Sequence, residues 1–269
     1  MILKSIIPFI AIGFFLLALV FRKRVAGGLG WLFVAVYCAS EVSYYLTEGE
    51  YFDASIAIIF LAFTLLLAAL MLKPTAEVSE KGDEDLFFTI TKIAMITAVF
   101  YFPVSEIPCL ETLIIYVTAK ITATVLTLFN VGVYMVDPSS IYSTTSSFHV
   151  VYKPIEIILA CTAIQSMVLF IGLVFGVTAP LGRKFKAFLV SVPTIYALNI
   201  VRNVFVAAAY FGQWFGPPLQ SFHIAHGIIA RIFVMVSLIA VAYAVFVILP
   251  ETLDVIEDFF HFLFRKRHV

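Results

Sequence analysis

Five ionisable side chains able to take part in acyl chemistry, Cys161, Arg202, His223, His226 and Arg231, fall in the last three apolar stretches of the chain. A charged group inside such a stretch costs about 2.5–3.5 kcal/mol on insertion scales, so each is a functional hypothesis. A thiol attacks only as thiolate, a form that a nearby cation favours and apolar surroundings disfavour. Arg202 is the one neighbour certain to be charged. It suits either the thiolate or the oxyanion formed when sulfur attacks a carbonyl. A histidine could carry a proton to the leaving amine. Together these parts fit acyl transfer through a thioester.

Helical spacing groups them further. Asn199, Arg202 and Asn203 stand at i, i+3 and i+4 and form one polar stripe. Cys161 and Gln165, four apart on a helix, share a face. His226, Gly227 and Ala230 fall near the face of His223, whereas Arg231 is rotated about 80° from it. The proton donor therefore stays open between His226, His223 and Arg231. Plainer roles exist for each residue: an inert core thiol at Cys161, a snorkelling Arg202, interfacial histidines, a headgroup-binding Arg231. Gln165 and Ser166 suit helix–helix hydrogen bonding, and Glu156 an interface anchor.

The elements that must position these groups are written in the composition. Of 269 residues, 62% are hydrophobic and 13% charged, against roughly 45–50% and about 25% in soluble domains. Crossing a bilayer as helix takes about 20 apolar residues, and backbone groups in lipid must pair internally. The sequence predicts an all-α polytopic membrane protein of about seven transmembrane helices. They fall near Ile6–Phe21, Leu29–Leu46, Ala54–Leu72, Phe88–Phe102, Ile155–Val177, Ala187–Phe211 and Ala225–Leu249, with Pro193 a kink in the sixth. The first has its basic cluster after the apolar run and no small-x-small cleavage pattern, so it reads as a retained anchor.

Placing Arg22-Lys23-Arg24, Lys73 with Lys81, Arg183-Lys184-Lys186 and Arg265-Lys266-Arg267 in the cytoplasm puts the N-terminus outside, the C-terminus inside and the candidate site near the outer face of the cell membrane. Thr112–Phe129 is then an amphipathic helix at the outer face, because counting it as a span would carry Arg183-Lys184-Lys186 outside. Its Lys120 and threonines point the same way. Val131–Lys153, rich in β-branched and hydroxyl residues, reads as an external loop with short strands. Residues 1–86 form an N-terminal three-helix region with a cytoplasmic linker, and residues 87–269 the catalytic region. Cys38, Cys109 and Cys161 offer neither a disulfide framework nor a zinc pattern. No metal or cofactor is called for, and the zero net charge gives no sign of nucleic acid.

Leu159-Ala160-Cys161-Thr162-Ala163-Ile164-Gln165-Ser166-Met167 resembles the cysteine motif of the exosortase/archaeosortase family. Pro193 to Phe205, containing Asn199, Arg202 and Asn203, resembles its arginine motif. Ser221-Phe222-His223-Ile224-Ala225-His226-Gly227 is similar to the third block, in the expected order. The likeness, strongest to the archaeosortase branch, spans roughly Leu110 to Glu251. It implies a membrane cysteine transpeptidase. Such enzymes recognise a C-terminal sorting signal made of a Pro-Gly-Phe-type motif, a transmembrane helix and a basic end. They cleave there and pass the new carboxyl end to an amino-bearing membrane lipid. Surface-layer glycoproteins are typical substrates. The resemblance makes Cys161 the nucleophile and Arg202 its partner, with His226 best aligned to a third position that varies between arginine and histidine. A transporter or proton-conducting protein is the alternative, though a relay crossing the whole membrane would be expected of it. No G-x-S-x-G or H-E-x-x-H element points to another hydrolase.

Overall fold

The computed structural model describes residues 2–73, 81–144 and 153–264, without the side chains of residues 2–4, 52 and 81. The cluster Arg265-Lys266-Arg267, residues 74–80 of the polar linker and residues 145–152 of the long loop lie outside that range. In chain order the elements are α1 (Ile2–Phe21), α2 (Arg24–Glu48), α3 (Tyr51–Leu72), α4 (Lys81–Glu106) and α5 (Pro108–Leu128). Three short strands follow, β1 (Val133–Met135), β2 (Ser140–Ser143) and β3 (Ile155–Glu156). After a 3-10 turn at Leu159–Thr162 come α6 (Ile164–Gly176), α7 (Leu181–Gly212), α8 (Pro218–Phe222), a π-helical segment His223–Ile229, α9 (Ala230–Ile248) and α10 (Glu251–Phe264).

Among the described residues, six helical runs are long and apolar enough to cross a membrane by length and composition: Arg24–Glu48, Asp53–Leu72, Gly82–Glu106, Pro108–Leu128, Leu181–Gly212 and Pro218–Ile248. Shorter apolar stretches occupy Ser5–Phe21 and Ile164–Gly176. This is the polytopic helical membrane architecture that the composition predicts.

The stretch expected to be interfacial lies, up to Leu128, within α5, one of those six runs. Its small and hydroxyl residues Thr118, Ala119, Thr122 and Ala123 are buried, while Leu113, Tyr116, Val117, Ile121 and Leu128 are exposed. Thr122, Thr124 and Thr127 hydrogen-bond the carbonyls of Thr118, Lys120 and Ala123, each four residues back. Hydroxyls bonded to their own helix lose most of their objection to an apolar setting. The threonines therefore carry no argument against this helix crossing a membrane.

A second departure concerns Ile155–Val177, expected as one span. Only Ile164–Gly176 is α-helix; the segment before it is strand, then 3-10 turn, then Ala163 at φ 58°. Hydropathy does not separate an apolar strand from an apolar helix over so few residues.

The chain divides into two units. The first holds residues 1–102, 172–178 and 251–269. Its core gathers Phe15, Trp31, Leu67, Met71, Phe87 and Phe88, with Trp31 Nε1 donating to Thr91 Oγ1 at 3.1 Å. Gly172 and Gly176 bring the end of α6 against α4. A Cβ at Gly172 would lie 2.7 Å from the Ile93 carbonyl oxygen, and one at Gly176 3.0 Å from Ile93 Cα. Glycines four apart allow this backbone approach, the small-residue packing common between membrane helices. The amphipathic α10 covers the same unit through Phe259 against Phe63 and Phe262 against Phe87.

The second unit holds residues 103–171 and 179–250. Ala119, Ala123 and Leu126 of α5 pack with Ala207, Ala208 and Tyr210 of α7, and Ile141, Ile155 and Ile157 close the cluster from the sheet. That sheet has order β1-β2-β3, all antiparallel, pairing Tyr134 with Tyr142 and Ser140 with Glu156. Short strands are what the β-branched and hydroxyl-rich loop predicts. Asp137 shapes the β1–β2 turn, its Oδ1 accepting from the N–H groups of Ser139 at 2.9 Å and Ser140 at 2.7 Å. These hydrogen bonds, that to Ser139 above all, hold its carboxyl below the usual pKa of 3.8.

Candidate active site

Cys161 sits in the 3-10 turn that joins β3 to α6, half-buried. Its N–H bonds the Ile158 carbonyl at 2.8 Å. Thr162 closes the turn, its Oγ1 donating to the Leu159 carbonyl at 2.6 Å. Ala163 then takes a left-handed conformation, and from it the helix begins, Met167 N–H bonding the Ala163 carbonyl at 3.0 Å. A side chain at positive φ is strained by about 1–2 kcal/mol, and such residues gather at functional sites.

The turn is fastened to α7. Asn199 and Asn203 each donate from Nδ2 to the Cys161 carbonyl oxygen, at 2.8 and 2.9 Å. Both lone pairs of one carbonyl are thus taken by side chains one helical turn apart. Asn199 is 7% and Asn203 5% exposed, so breaking either bond would leave a buried amide N–H without its acceptor. The predicted polar stripe is therefore real, and it grips the cysteine's backbone.

Arg202, on the same stripe, connects the asparagines to the histidine. Nη1 donates to Asn203 Oδ1 at 3.0 Å, and Nη2 stands 3.0 Å from His226 Nε2. A guanidinium has donors only, so Nε2 accepts, leaving the imidazole neutral with its proton on Nδ1. Phe222 stacks on the His226 ring, centroids 5.0 Å apart and planes 7° from parallel. One chain of contacts thereby runs from Cys161 through Asn203 and Arg202 to His226.

The remaining candidates are exposed. His223 is exposed, its ring lying over Gly227, where a Cβ would meet it at 3.7–3.8 Å. The π-helical stretch explains why His223 and His226 part company. An i→i+5 ladder widens each turn by about one residue, so a spacing of four brings residues into register and a spacing of three does not. Arg231 is exposed on α9. Gln165 is also exposed, and the chain between it and Cys161 is a turn rather than helix, so the helical spacing that groups them does not apply there.

Sequence reasoning missed four contributors: Phe222, Thr162, Ala163 and Tyr210. Tyr210 donates its hydroxyl to the Lys153 carbonyl at 2.8 Å, tying the approach to β3 onto α7. Alanine at positive φ leaves no trace in composition, and an aromatic ring in an apolar helix is indistinguishable from lipid-facing surface. Only the i, i+4 spacing of Phe222 and His226 offered a signal.

Fold and site together define a polytopic helical membrane protein whose cysteine turn is clamped beside an arginine–histidine contact. The family described as transmembrane exosortase matches residues 5–243, and the chain belongs to it. Two relatives are both named archaeosortase A. That of Haloferax volcanii is 38% identical over 118 residues, 39% of this chain and 39% of that protein. That of Natronomonas pharaonis is 30% identical over 198 residues, 66% of this chain and 63% of that protein. The chain thus spans less than two thirds of either relative's length. No solved structure matches.

Proposed function

We propose that this protein is a membrane sorting transpeptidase that cleaves C-terminal sorting signals from other proteins through a Cys161 thioester. The observation that carries the reading is the contact chain from the clamped Cys161 turn to Arg202 and His226, in a member of the transmembrane exosortase family.

Cys161 Sγ adds to the scissile carbonyl carbon as its proton passes to Nε2 of His226. Arg202, releasing that nitrogen, turns its N–H groups to the oxyanion. Collapse breaks the C–N bond, the imidazolium returns the proton to the leaving amine, and an acyl thioester remains. The amine of a membrane lipid then attacks the thioester, the C–S bond breaks, and His226 passes the amine's surplus proton to the departing sulfur, regenerating the thiol as an amide links protein to lipid. Substrates are surface proteins, S-layer glycoproteins among them, whose tails carry a Pro-Gly-Phe-type motif, an apolar helix and a basic end. The chemistry takes place near the outer face of the cell membrane, and no cofactor takes part.

The test is maturation of a tailed surface protein in cells whose own enzyme is deleted. Cys161→Ala and Arg202→Ala should each leave the precursor uncut while the variant inserts at normal abundance. Maturation at the usual rate in either variant would overturn the mechanism.

A further inference from the structure

We propose that the edge of β3 turned away from β2 is the docking rail for the substrate, which adds an extended peptide strand beside residues 155–158 and is led from there to Cys161. This deepens the transpeptidase reading and rests on it.

The register decides which way the edge's hydrogen-bonding groups face. Ile155 pairs with Ile141 and Glu156 with Ser140, and Ile157 N–H donates to the Ser139 carbonyl at 2.8 Å. In an antiparallel ladder alternate residues direct both N–H and C=O to one neighbour. Ile157 and Ile155 therefore face β2, and the N–H and C=O of Glu156 face away from it. Among the described residues no hydrogen bond reaches that pair. Side chains alternate in step: Ile155 and Ile157 are 8% and 3% exposed, whereas Glu156 points outward and Ile158 is 52% exposed.

An outward-facing donor and acceptor on one edge residue is what an extended peptide recognises in strand addition. Main-chain bonds supply attachment without reading sequence, which suits an enzyme serving many proteins. Position names the occupant. The edge runs without interruption into the cysteine turn, whose N–H is bonded to Ile158. A strand laid about 4.8 Å from β3 comes alongside that turn within two or three residues of Glu156. A second copy of this chain could offer only the same two-residue strand, held by one residue's pair of bonds. A substrate has a further hold, because its scissile carbonyl is gripped at Cys161.

Binding is measured by fluorescence polarisation on detergent-solubilised protein. The probe is a fluorescein-labelled synthetic peptide with a Pro-Gly-Phe motif and the start of its apolar helix. Every binding variant is made in the Cys161→Ala background. Glu156→Pro removes the outward N–H while leaving the ladder to β2 intact; it should weaken binding at least tenfold. Glu156→Gln, which changes only the side chain, should bind as the parent does. Probes with single amides replaced by esters should lose affinity at one backbone position and not at its immediate neighbours. Unchanged binding by a folded Glu156→Pro protein, or an ester series without alternation, overturns the proposal. If Glu156→Pro melts early, the ester series alone decides. Turnover of the probe by Cys161→Ala would instead sink the cysteine mechanism, and the binding series would still be read by itself.

Discussion

Nη2 of Arg202 lies 3.0 Å from Nε2 of His226, so two residues on different helices share one polar contact. The guanidinium blocks the only imidazole nitrogen able to accept a proton, and the imidazole occupies an N–H that an oxyanion would use. In the mechanism proposed above, each must release the other before either can act, and the contact would latch the resting site until a substrate carbonyl arrives.

Arg202→Lys keeps the charge but not the planar fork that reaches Asn203 and His226 at once. Cleavage should fall by about 100-fold or more, the scale of losing an oxyanion donor, with insertion and abundance unchanged. Activity within a few-fold of the parent would mean that charge alone suffices.

The identity of the proton carrier separates by single-turnover trapping of the acyl-enzyme. His226→Ala should accumulate little thioester and release little amine fragment. His223→Ala and Arg231→Ala, altering exposed side chains, should stay within about threefold of the parent. A block in His223→Ala with normal turnover in His226→Ala would reverse the assignment.

Asn199→Ala and Asn203→Ala each remove one of the two donors on the Cys161 carbonyl. A single loss should cost about 1 kcal/mol of local stability. The double variant should cost more than the sum, since it alone orphans that oxygen. Alkylation of Cys161 by a small maleimide should speed up as the turn loosens. An alkylation rate untouched in the double variant would show that the clamp does not hold the thiol.

At Ala163, glycine relieves the left-handed strain, while valine adds a β-branch that this conformation rejects. Ala163→Gly should retain cleavage within a few-fold, and Ala163→Val should lose it. Equal activities would mean that the turn relaxes to another geometry.

Acid should loosen the β1–β2 turn through Asp137. Its folded pKa is depressed, so the unfolded chain binds a proton first as pH falls. The stabilisation is whole well above pH 3.8, declines as pH drops through that value, and is gone below the lower folded pKa. Exchange of the Ser139 and Ser140 amides should accelerate over that window, and Asp137→Ala should remove the dependence. Protection that ignores pH between 5 and 2, roughly the range in which carboxylates titrate, would contradict it.

The long helices and the polar stripe were legible because burial in lipid leaves a coarse signature: apolar runs of fixed length, with Asn199, Arg202 and Asn203 as conspicuous breaks. The stripe needed only the α-helical period, and α7 obeys it. Reasoning failed where the period itself changed. Cys161–Gln165 reads as one helical turn because nothing in LACTAIQ marks Ala163 as left-handed. His223 and His226 were placed on nearly one face because a π-helical step has no compositional sign. In both places hydrogen bonds from distant residues decide the backbone, and one-dimensional spacing cannot register them.

At 13 residues α6 is only about 20 Å long, against roughly 30 Å of hydrocarbon in a bilayer. The missing third is strand and turn, whose polar backbone cannot face lipid tails. Burial of Ile155, Ile157 and Thr162 beside residues of α5 and α7 meets that demand within the protein itself. On the transpeptidase reading, this protein-walled flank is where a polar peptide and a lipid's amine would reach one sulfur without either crossing a full greasy layer.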